Sequence, residues 1–396
     1  MRHVIFIAVL SAGLASCSGG SDGPQVRPGD SDGGGGDVDP VLLVLGDSLS
    51  DTGNAAALAD YLLGEEIGGT ATTGLCHPGE RLILELDCID IIFERSRVSN
   101  GPVAVEYLAE RLGTAPLAPS FHTVPNRPAV GVNYAVAGAK ARDSSPRDLG
   151  HQIERVLLDH GPALPPESAI VLMIGGNDAI DALQAAVLPN LTDPADGLPG
   201  GSPETPPPAS GAEPDPIVAQ AVDGIVIAAT RLLEMDACVI VANVPNLARL
   251  PAVRTTAEAE GVDIAAATAA AEEVTLGFNT LLAERLAELG ASHPNGASLV
   301  PFDLFASFEA ALDDAAVAGW NVTDACFDSE TYIGSTVGER DFHPDCAPAP
   351  GQAPSFDRFF FWDGIHPSGA AHAALGAALV ETYDRECAAA AAASAR

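Results

Sequence analysis

Leu42-Leu43-Val44-Leu45-Gly46-Asp47-Ser48-Leu49-Ser50-Asp51-Thr52-Gly53-Asn54 changes character partway along. Its first four residues are an unbroken apolar run, the pattern of a strand buried on both faces. Gly46, Asp47 and Ser48 interrupt it, and the Ala- and Leu-rich segment from Leu49 to Tyr61 then reads as a helix. A serine at such a strand-to-helix turn lies near the positive end of a helix dipole, where a developing anion is favoured. The same tripeptide also suits a plain turn with an N-cap, so its chemistry depends on what the rest of the chain brings to it.

Further short apolar runs share this form. Residues 130 to 136, Ser168 to Ile174, Ala237 to Val244 and Leu299 to Phe302 read as strands. Between them lie helical segments at Ile153–His160, Ile217–Glu234, Thr255–Leu289 (one helix or two) and Leu304–Leu312, with an Ala-rich helix closing near Arg385. Gly101-Pro102, followed by apolar residues at helical spacing, reads as a turn entering another helix. Non-alternating strands separated by helices predict a mainly parallel sheet covered on both faces. The expected fold is a three-layer α/β/α sandwich forming one domain over residues 40–388. Leu63–Ile92 and Gly319–Asp357 read as irregular. Leu188–Pro216 is rich in Pro, Gly, Ala and acidic residues and lacks the apolar face of a lipase lid, so it reads as a disordered surface insertion. Residues 389–396 read as a disordered tail.

Lys and Arg number 19 against 54 Asp and Glu, a formal net charge of −35, and Lys140 is the only lysine. Such a chain excludes nucleic acid as a partner and electrostatic docking on anionic lipid. The first residues read as a targeting segment: Arg2 and His3, then a mostly apolar stretch from Val4 to Leu14, too short to span a bilayer. Leu14-Ala15-Ser16-Cys17 resembles a bacterial lipoprotein signal. That resemblance implies removal of residues 1–16, lipidation of Cys17, and export to a lipid-anchored place. With Ser18 following, that place is expected to be the outer membrane, on its periplasmic or cell-surface face. The alternative is an ordinary secretory signal with an incidental cysteine. Residues 17–39, rich in Gly, Ser and Asp, read as a flexible tether. Gly19-Gly20-Ser21-Asp22-Gly23 has the spacing of a nucleophile elbow but no strand before it or helix after it.

Six cysteines remain, and an even number in an exported chain suggests disulfides whose pairing the sequence does not fix. Cys76–Cys88 and Cys326–Cys346 are local pairs. Cys238 sits in an apolar run and reads as a buried free thiol, which leaves Cys387 unpaired as well. Without a C-x-x-C or clustered histidines, metal binding is not expected.

The chemistry-bearing blocks follow in order. Gly46-Asp47-Ser48-Leu49-Ser50-Asp51-Thr52-Gly53-Asn54 closely resembles the nucleophile block of the GDSL lipases/esterases of the SGNH hydrolase superfamily. Ser99-Asn100-Gly101-Pro102 is similar to a structural segment of that family. Asn133-Tyr134-Ala135-Val136-Ala137-Gly138-Ala139 and Gly175-Gly176-Asn177-Asp178, each after a strand-like run, resemble its oxyanion blocks. Asp363-Gly364-Ile365-His366, before the last helix, resembles its remaining block. Each taken alone has a plainer reading: a turn for the glycine-rich blocks, and a helix cap or half a metal site for Asp363 and His366.

The resemblance implies Ser48 as nucleophile, His366 as general base and Asp363 as the carboxylate orienting it. Asp363, three residues before His366, is placed to reach Nδ1 of the imidazole. The oxyanion donors implied are the N–H groups of Ser48 and Gly138 and the Asn177 amide. The expected activity is hydrolysis of carboxylic esters without metal or organic cofactor. The partners expected are an acyl ester, lipid or acylated sugar as substrate, and a membrane through the lipid anchor. An acyltransferase, a phospholipase or a polysaccharide deacetylase would use the same residues. A non-catalytic surface-binding lipoprotein is the reading from another class. His343, beside Pro344, is the rival base.

Overall fold

Each apolar run forms its strand because nothing in it competes for the ladder. In the computed structural model, which describes residues 39–63, 97–125, 131–165, 167–187, 214–326, 343–346 and 358–388, β1 spans Leu42–Gly46 and is buried throughout. Helices α1 (Asn54–Leu63), α2 (Ala104–Leu112) and α3 (Leu149–His160) precede β2 (Ala169–Met173). Then come α4 (Gly176–Val187), α5 (Pro216–Leu232), β3 (Cys238–Ala242), α6 (Pro251–Glu260), α7 (Ile264–Ser292), β4 (Leu299–Phe302) and α8 (Leu304–Val317). β5 (Asn321–Ala325), β6 (Phe359–Phe361) and α9 (Gly369–Thr382) complete the order. The sequence expectations for the signal segment, Cys17, the tether, the Cys76–Cys88 pair, residues 188–213 and the tail lie outside the described residues.

The main sheet is wholly parallel, ordered β1-β2-β3-β4. One row across it reads Val44, Val171, Ile240, Val300, all buried. Burying such a side chain contributes about 1.5–3 kcal/mol. Because β1 and β2 are buried at every position, helices must cover both faces. One group joins α2, α9 and α8, with α2 against β1; the other joins α3, α4, α5 and α7, with α3 against β1 and α5 against β3. The three-layer α/β/α sandwich is therefore as the sequence predicts.

Residues 132–136 run along the free side of β1 as an irregular strand. Tyr134 N–H donates to Val44 O at 2.7 Å, and Val136 N–H to Gly46 O at 3.0 Å. Three expectations need correction. The first helix begins at Asn54, not Leu49: the Asp51 carboxylate takes the N–H groups of Gly53, Asn54 and Ala55 at 2.7–2.9 Å and caps the helix there. The segment from Gly319 is not irregular throughout, since β5 pairs in parallel with β6. Cys238 is not a free thiol. It is bonded to Cys387, with Cα atoms 5.7 Å apart, because the turn after α9 returns to the start of β3. Cys326 and Cys346 pair as expected, with Cα atoms 5.4 Å apart.

Candidate active site

Ser48 lies in the tight turn that follows β1. Ser50 and Asp51 donate their N–H groups back to Asp47 O at 3.1 and 3.0 Å, and Asp47 N–H donates to Met173 O at 3.2 Å. Gly46 sits so close to β2 that a Cβ there would stand 2.2 Å from Met173 O, which explains glycine before the nucleophile turn. Gln152 of α3 fills the gap by bridging Gly46: its amide donates to Gly46 O and its carbonyl accepts Gly46 N–H, both at 2.8 Å.

His366 arrives from the far end of the chain. Its loop leaves β6 and is tied down on both sides. Trp362 N–H donates to His366 O and Ser368 N–H to Phe360 O, each at 2.8 Å. Ser99 Oγ donates to Pro367 O at 3.1 Å, and Asn100 Oδ1 accepts Gly369 N–H at 2.7 Å. A Cβ on Gly369 would stand 2.8 Å from Gly101 Cα, so the Ser-Asn-Gly segment and the start of α9 pack backbone to backbone. The Ser-Asn-Gly block thus steadies the histidine loop.

The three residues proposed for proton transfer form one chain of contacts. Ser48 Oγ is 2.8 Å from His366 Nε2. His366 Nδ1 is 2.9 Å and 2.8 Å from the two Asp363 carboxylate oxygens. Asp363 Oδ1 also accepts the N–H groups of Ile365 and His366 at 2.8 and 2.7 Å. Burial alone would push the Asp363 carboxyl up, but the His366 charge and these donors hold it below the ordinary carboxylate range. Burial would push His366 down; the Asp363 charge and hydrogen bond, with a smaller pull from Asp47, raise it instead. The arrangement can accept a hydroxyl proton at Nε2 while the tautomer is fixed at Nδ1.

The oxyanion candidates come from two neighbouring segments. Asn177, at the start of α4, donates one amide hydrogen to Ala139 O at 2.9 Å, and lines one cavity with Ser48 and His366. Gly138 precedes Ala139 and has φ +76°, a left-handed backbone that favours glycine. Ala137 N–H on its other side is held by Asp51 Oδ2 at 2.9 Å. Among the described residues, the N–H groups of Ser48 and Gly138 have no hydrogen-bond partner. Gly138 is not among the residues lining the cavity. His343, the rival base, is elsewhere: its ring packs on Phe359 and lies 3.9 Å from Asp324 and from Asp345.

Several residues that sequence reasoning passed over carry this geometry. Asn54 donates to the carbonyls of Asn133 and Ala135 at 2.8 Å, and Asn133 donates to Ser50 O at 2.7 Å, tying the nucleophile turn to the segment bearing Gly138. Asp178 accepts Ala141 N–H at 2.8 Å, and burial pushes its carboxyl up to about 6. Asp47 accepts Leu49 N–H at 3.1 Å beside Gly176, and burial pushes it up to about 7. His372 is buried with Nδ1 accepting Ala104 N–H at 3.3 Å; burial lowers it to about 3, so it stays neutral beside His366. The signal in the sequence was the density of polar residues inside otherwise apolar blocks.

Residues 42–379 match the sequence model of the family described as GDSL-like Lipase/Acylhydrolase. The chain belongs to that family. A GDSL esterase/lipase of Arabidopsis thaliana is 34% identical over 121 residues, 29% of this chain and 27% of that protein, so the match spans about a quarter of the relative's length. Among solved structures, a protein from Parabacteroides merdae assigned as a GDSL-like lipase aligns at TM-score 0.39 and 13% identity, over 87% of this chain and 96% of its own. A catalytic mutant of an acetylxylan esterase from Geobacillus stearothermophilus aligns at TM-score 0.37 and 12% identity, over 87% of this chain and 95% of its own. In this GDSL family member, Ser48, Asn177, Asp363 and His366 all meet at one cavity or its supporting loop.

Proposed function

We propose that this GDSL family member is a serine hydrolase of carboxylic esters. The observation that carries the reading is the unbroken contact chain Ser48–His366–Asp363 opening onto an apolar cavity. Ser48 Oγ attacks the ester carbonyl carbon while its proton passes to His366 Nε2. The tetrahedral oxyanion is met by the N–H groups of Ser48 and Gly138 and by the Asn177 amide. The carbon–oxygen bond to the alcohol breaks, and His366 returns the proton to the departing oxygen. Water, deprotonated by His366, then attacks the acyl-Ser48 ester, releasing the carboxylic acid and restoring the serine. Asp363 stays ionised and stabilises the imidazolium in both halves.

The test pairs labelling by a fluorophosphonate with turnover of p-nitrophenyl esters, in protein starting at Asp39 and its Ser48→Ala variant. Labelling and turnover that both vanish in Ser48→Ala support the reading. A folded protein that neither labels nor turns over any ester refutes it.

We also propose that the chain is exported and anchored through a lipid on Cys17, at the bacterial outer membrane. The support is the apolar stretch ending in Leu14-Ala15-Ser16-Cys17. Metabolic incorporation of an alkynyl fatty acid, lost in Cys17→Ser, is the expected outcome. Equal incorporation in the variant would sink the proposal.

A further inference from the structure

Four polar side chains, Asp47, Ser48, Asn177 and His366, line the cavity beside the nucleophile candidate. The rest is hydrocarbon: Leu247, Leu304, Phe308 and Leu375, each at most 2% exposed, form its inner wall, whereas Ile365 at its mouth is 39% exposed. The cavity is about 40 Å³. That is roughly three to four times the space one water needs, hence room for about three or four carbon atoms. Its wall is not free to retreat. The Phe308 ring on α8 meets Phe360 edge-on at 5.3 Å and Phe361 at 6.0 Å. Both rings belong to β6, the strand that leads into Asp363. The Phe308 wall on α8 therefore packs directly against the strand that leads to the loop of His366.

We infer that this cavity is an acyl pocket for short saturated chains, acetyl to butyryl, with Phe308 setting the upper length. The inference rests on the ester-hydrolase reading and narrows its substrate. A small, mostly apolar pocket beside Ser48 suits the acyl half of an ester rather than the alcohol half. The acyl group remains on Ser48 through both steps, whereas the alcohol must leave by a path that then admits water. A sugar hydroxyl set against the Leu247, Leu304, Phe308 or Leu375 side chains finds no partner there, and burying one unpaired is costly. An alkyl chain gains with each methylene buried until the ring stops it.

The experiment is the p-nitrophenyl ester series acetate, butyrate, hexanoate, octanoate and palmitate, with wild type, Phe308→Ala and Leu304→Ala. Wild-type kcat/KM should rise about fourfold per methylene from acetate to butyrate, then fall at least tenfold by octanoate. Phe308→Ala should move the maximum to hexanoate or octanoate; should that variant not fold, Leu304→Ala, on the same wall, should move it the same way. A wild type that turns over octanoate or palmitate as fast as butyrate overturns the inference. So does an unmoved maximum in a folded variant. Fluorophosphonate labelling of Ser48 with a flat length profile refutes the pocket alone; no labelling and no turnover refutes the hydrolase reading and the pocket with it.

Discussion

Removing the Cys238–Cys387 bond should cost more stability than removing Cys326–Cys346, by an amount that chain length sets. The first closes a loop of 149 residues and the second a loop of 20. In the chain-entropy account, the denatured ensemble regains roughly 17 cal/mol/K when the long loop opens and roughly 11 when the short one does, or about 5 against about 3 kcal/mol at 25 °C. The long loop also has a structural role. It ties the start of β3, in the middle of the sheet, to the turn after α9. The other end of α9 carries the loop of His366, so the bond holds that helix against the sheet at the end remote from the site. The assay is guanidinium unfolding of the double variants Cys238→Ala/Cys387→Ala and Cys326→Ala/Cys346→Ala, which leave no stray thiol from the broken pair. The first should lie about 2 kcal/mol below the second, each well below wild type. If the short-loop variant proves as costly as the long-loop variant, or costlier, the loop-closure reasoning is wrong for this fold.

Asp363→Asn keeps the shape of the loop but removes the charge that raises His366, so turnover should fall about 10³- to 10⁴-fold. Because the base works neutral, wild-type kcat/KM should climb with pH through a midpoint above 6.5, and in Asp363→Asn that midpoint should move down; an unmoved midpoint would show that His366 is not the titrating base. Asn177→Ala should lower kcat about 100- to 1,000-fold with KM little changed, and an equal rise in KM alone would place Asn177 in ground-state binding. Stability should depend on pH against the usual carboxylate direction. Asp47, Asp178 and His366 all hold protons more tightly when folded, so their contribution is complete below the unfolded values and is lost as pH rises through about 6 for Asp178, about 7 for Asp47 and above 6.5 for His366. Asp363, held low, works the other way and loses its contribution only as pH falls below about 4. His122, lowered to about 4, and His372, lowered to about 3, oppose this below pH 6.5 but are neutral in both states above it, so the thermal midpoint should fall from pH 6.5 to pH 8, and calorimetry showing a rise there would count against the buried carboxylates as assigned.

β1, β2 and β3 were legible because a buried parallel strand has no polar face to blur it, the runs leading to β2 and β3 lying within two residues of the strands; Leu299–Phe302, a half-exposed edge strand, is legible because even its outward residues, Leu299 and Pro301, are apolar. What the residues alone concealed were features decided by partners far along the chain. Leu49–Gly53 looks helical by its neighbours, yet Asp51 captures the helix N–H groups and also reaches Ala137, a contact 86 residues away. β5, with the sequence Asn-Val-Thr-Asp-Ala, has no apolar run to announce it and exists by pairing with Phe359–Phe361. The Cys238–Cys387 bond was hidden for the same reason, since local spacing favours close pairs. At the site, residue types and order brought forward Ser48, Asn177, Asp363 and His366 as candidates, and the structure sets Ser48, His366 and Asp363 in one contact chain. The second tier of Asn54, Asn133, Gln152 and Asp178 was not singled out, because a buried polar side chain is recognised by the backbone groups it satisfies.

That second tier explains how Ser48 and His366, 318 residues apart, hold a 2.8 Å contact. Turns at the ends of parallel strands leave N–H and C=O groups that no ladder satisfies, and leaving them unpaired in the interior would cost about 1–3 kcal/mol each. Here side chains take those roles: Gln152 for Gly46, Asn54 for Asn133 and Ala135, Asp178 for Ala141. Each bond that satisfies a turn also fixes it relative to the next, so the segments bearing Ser48, Gly138 and Asn177 are locked before any substrate enters. The same arrangement buries carboxylates, and burial pushes Asp47 up to about 7 and Asp178 up to about 6, beside a His366 that is itself raised. Above pH 6.5 these groups therefore weaken the site as they lose their protons. Loosening at higher pH should appear first around Asp47, between the nucleophile turn and Gly176, rather than at the disulfide-held end of α9.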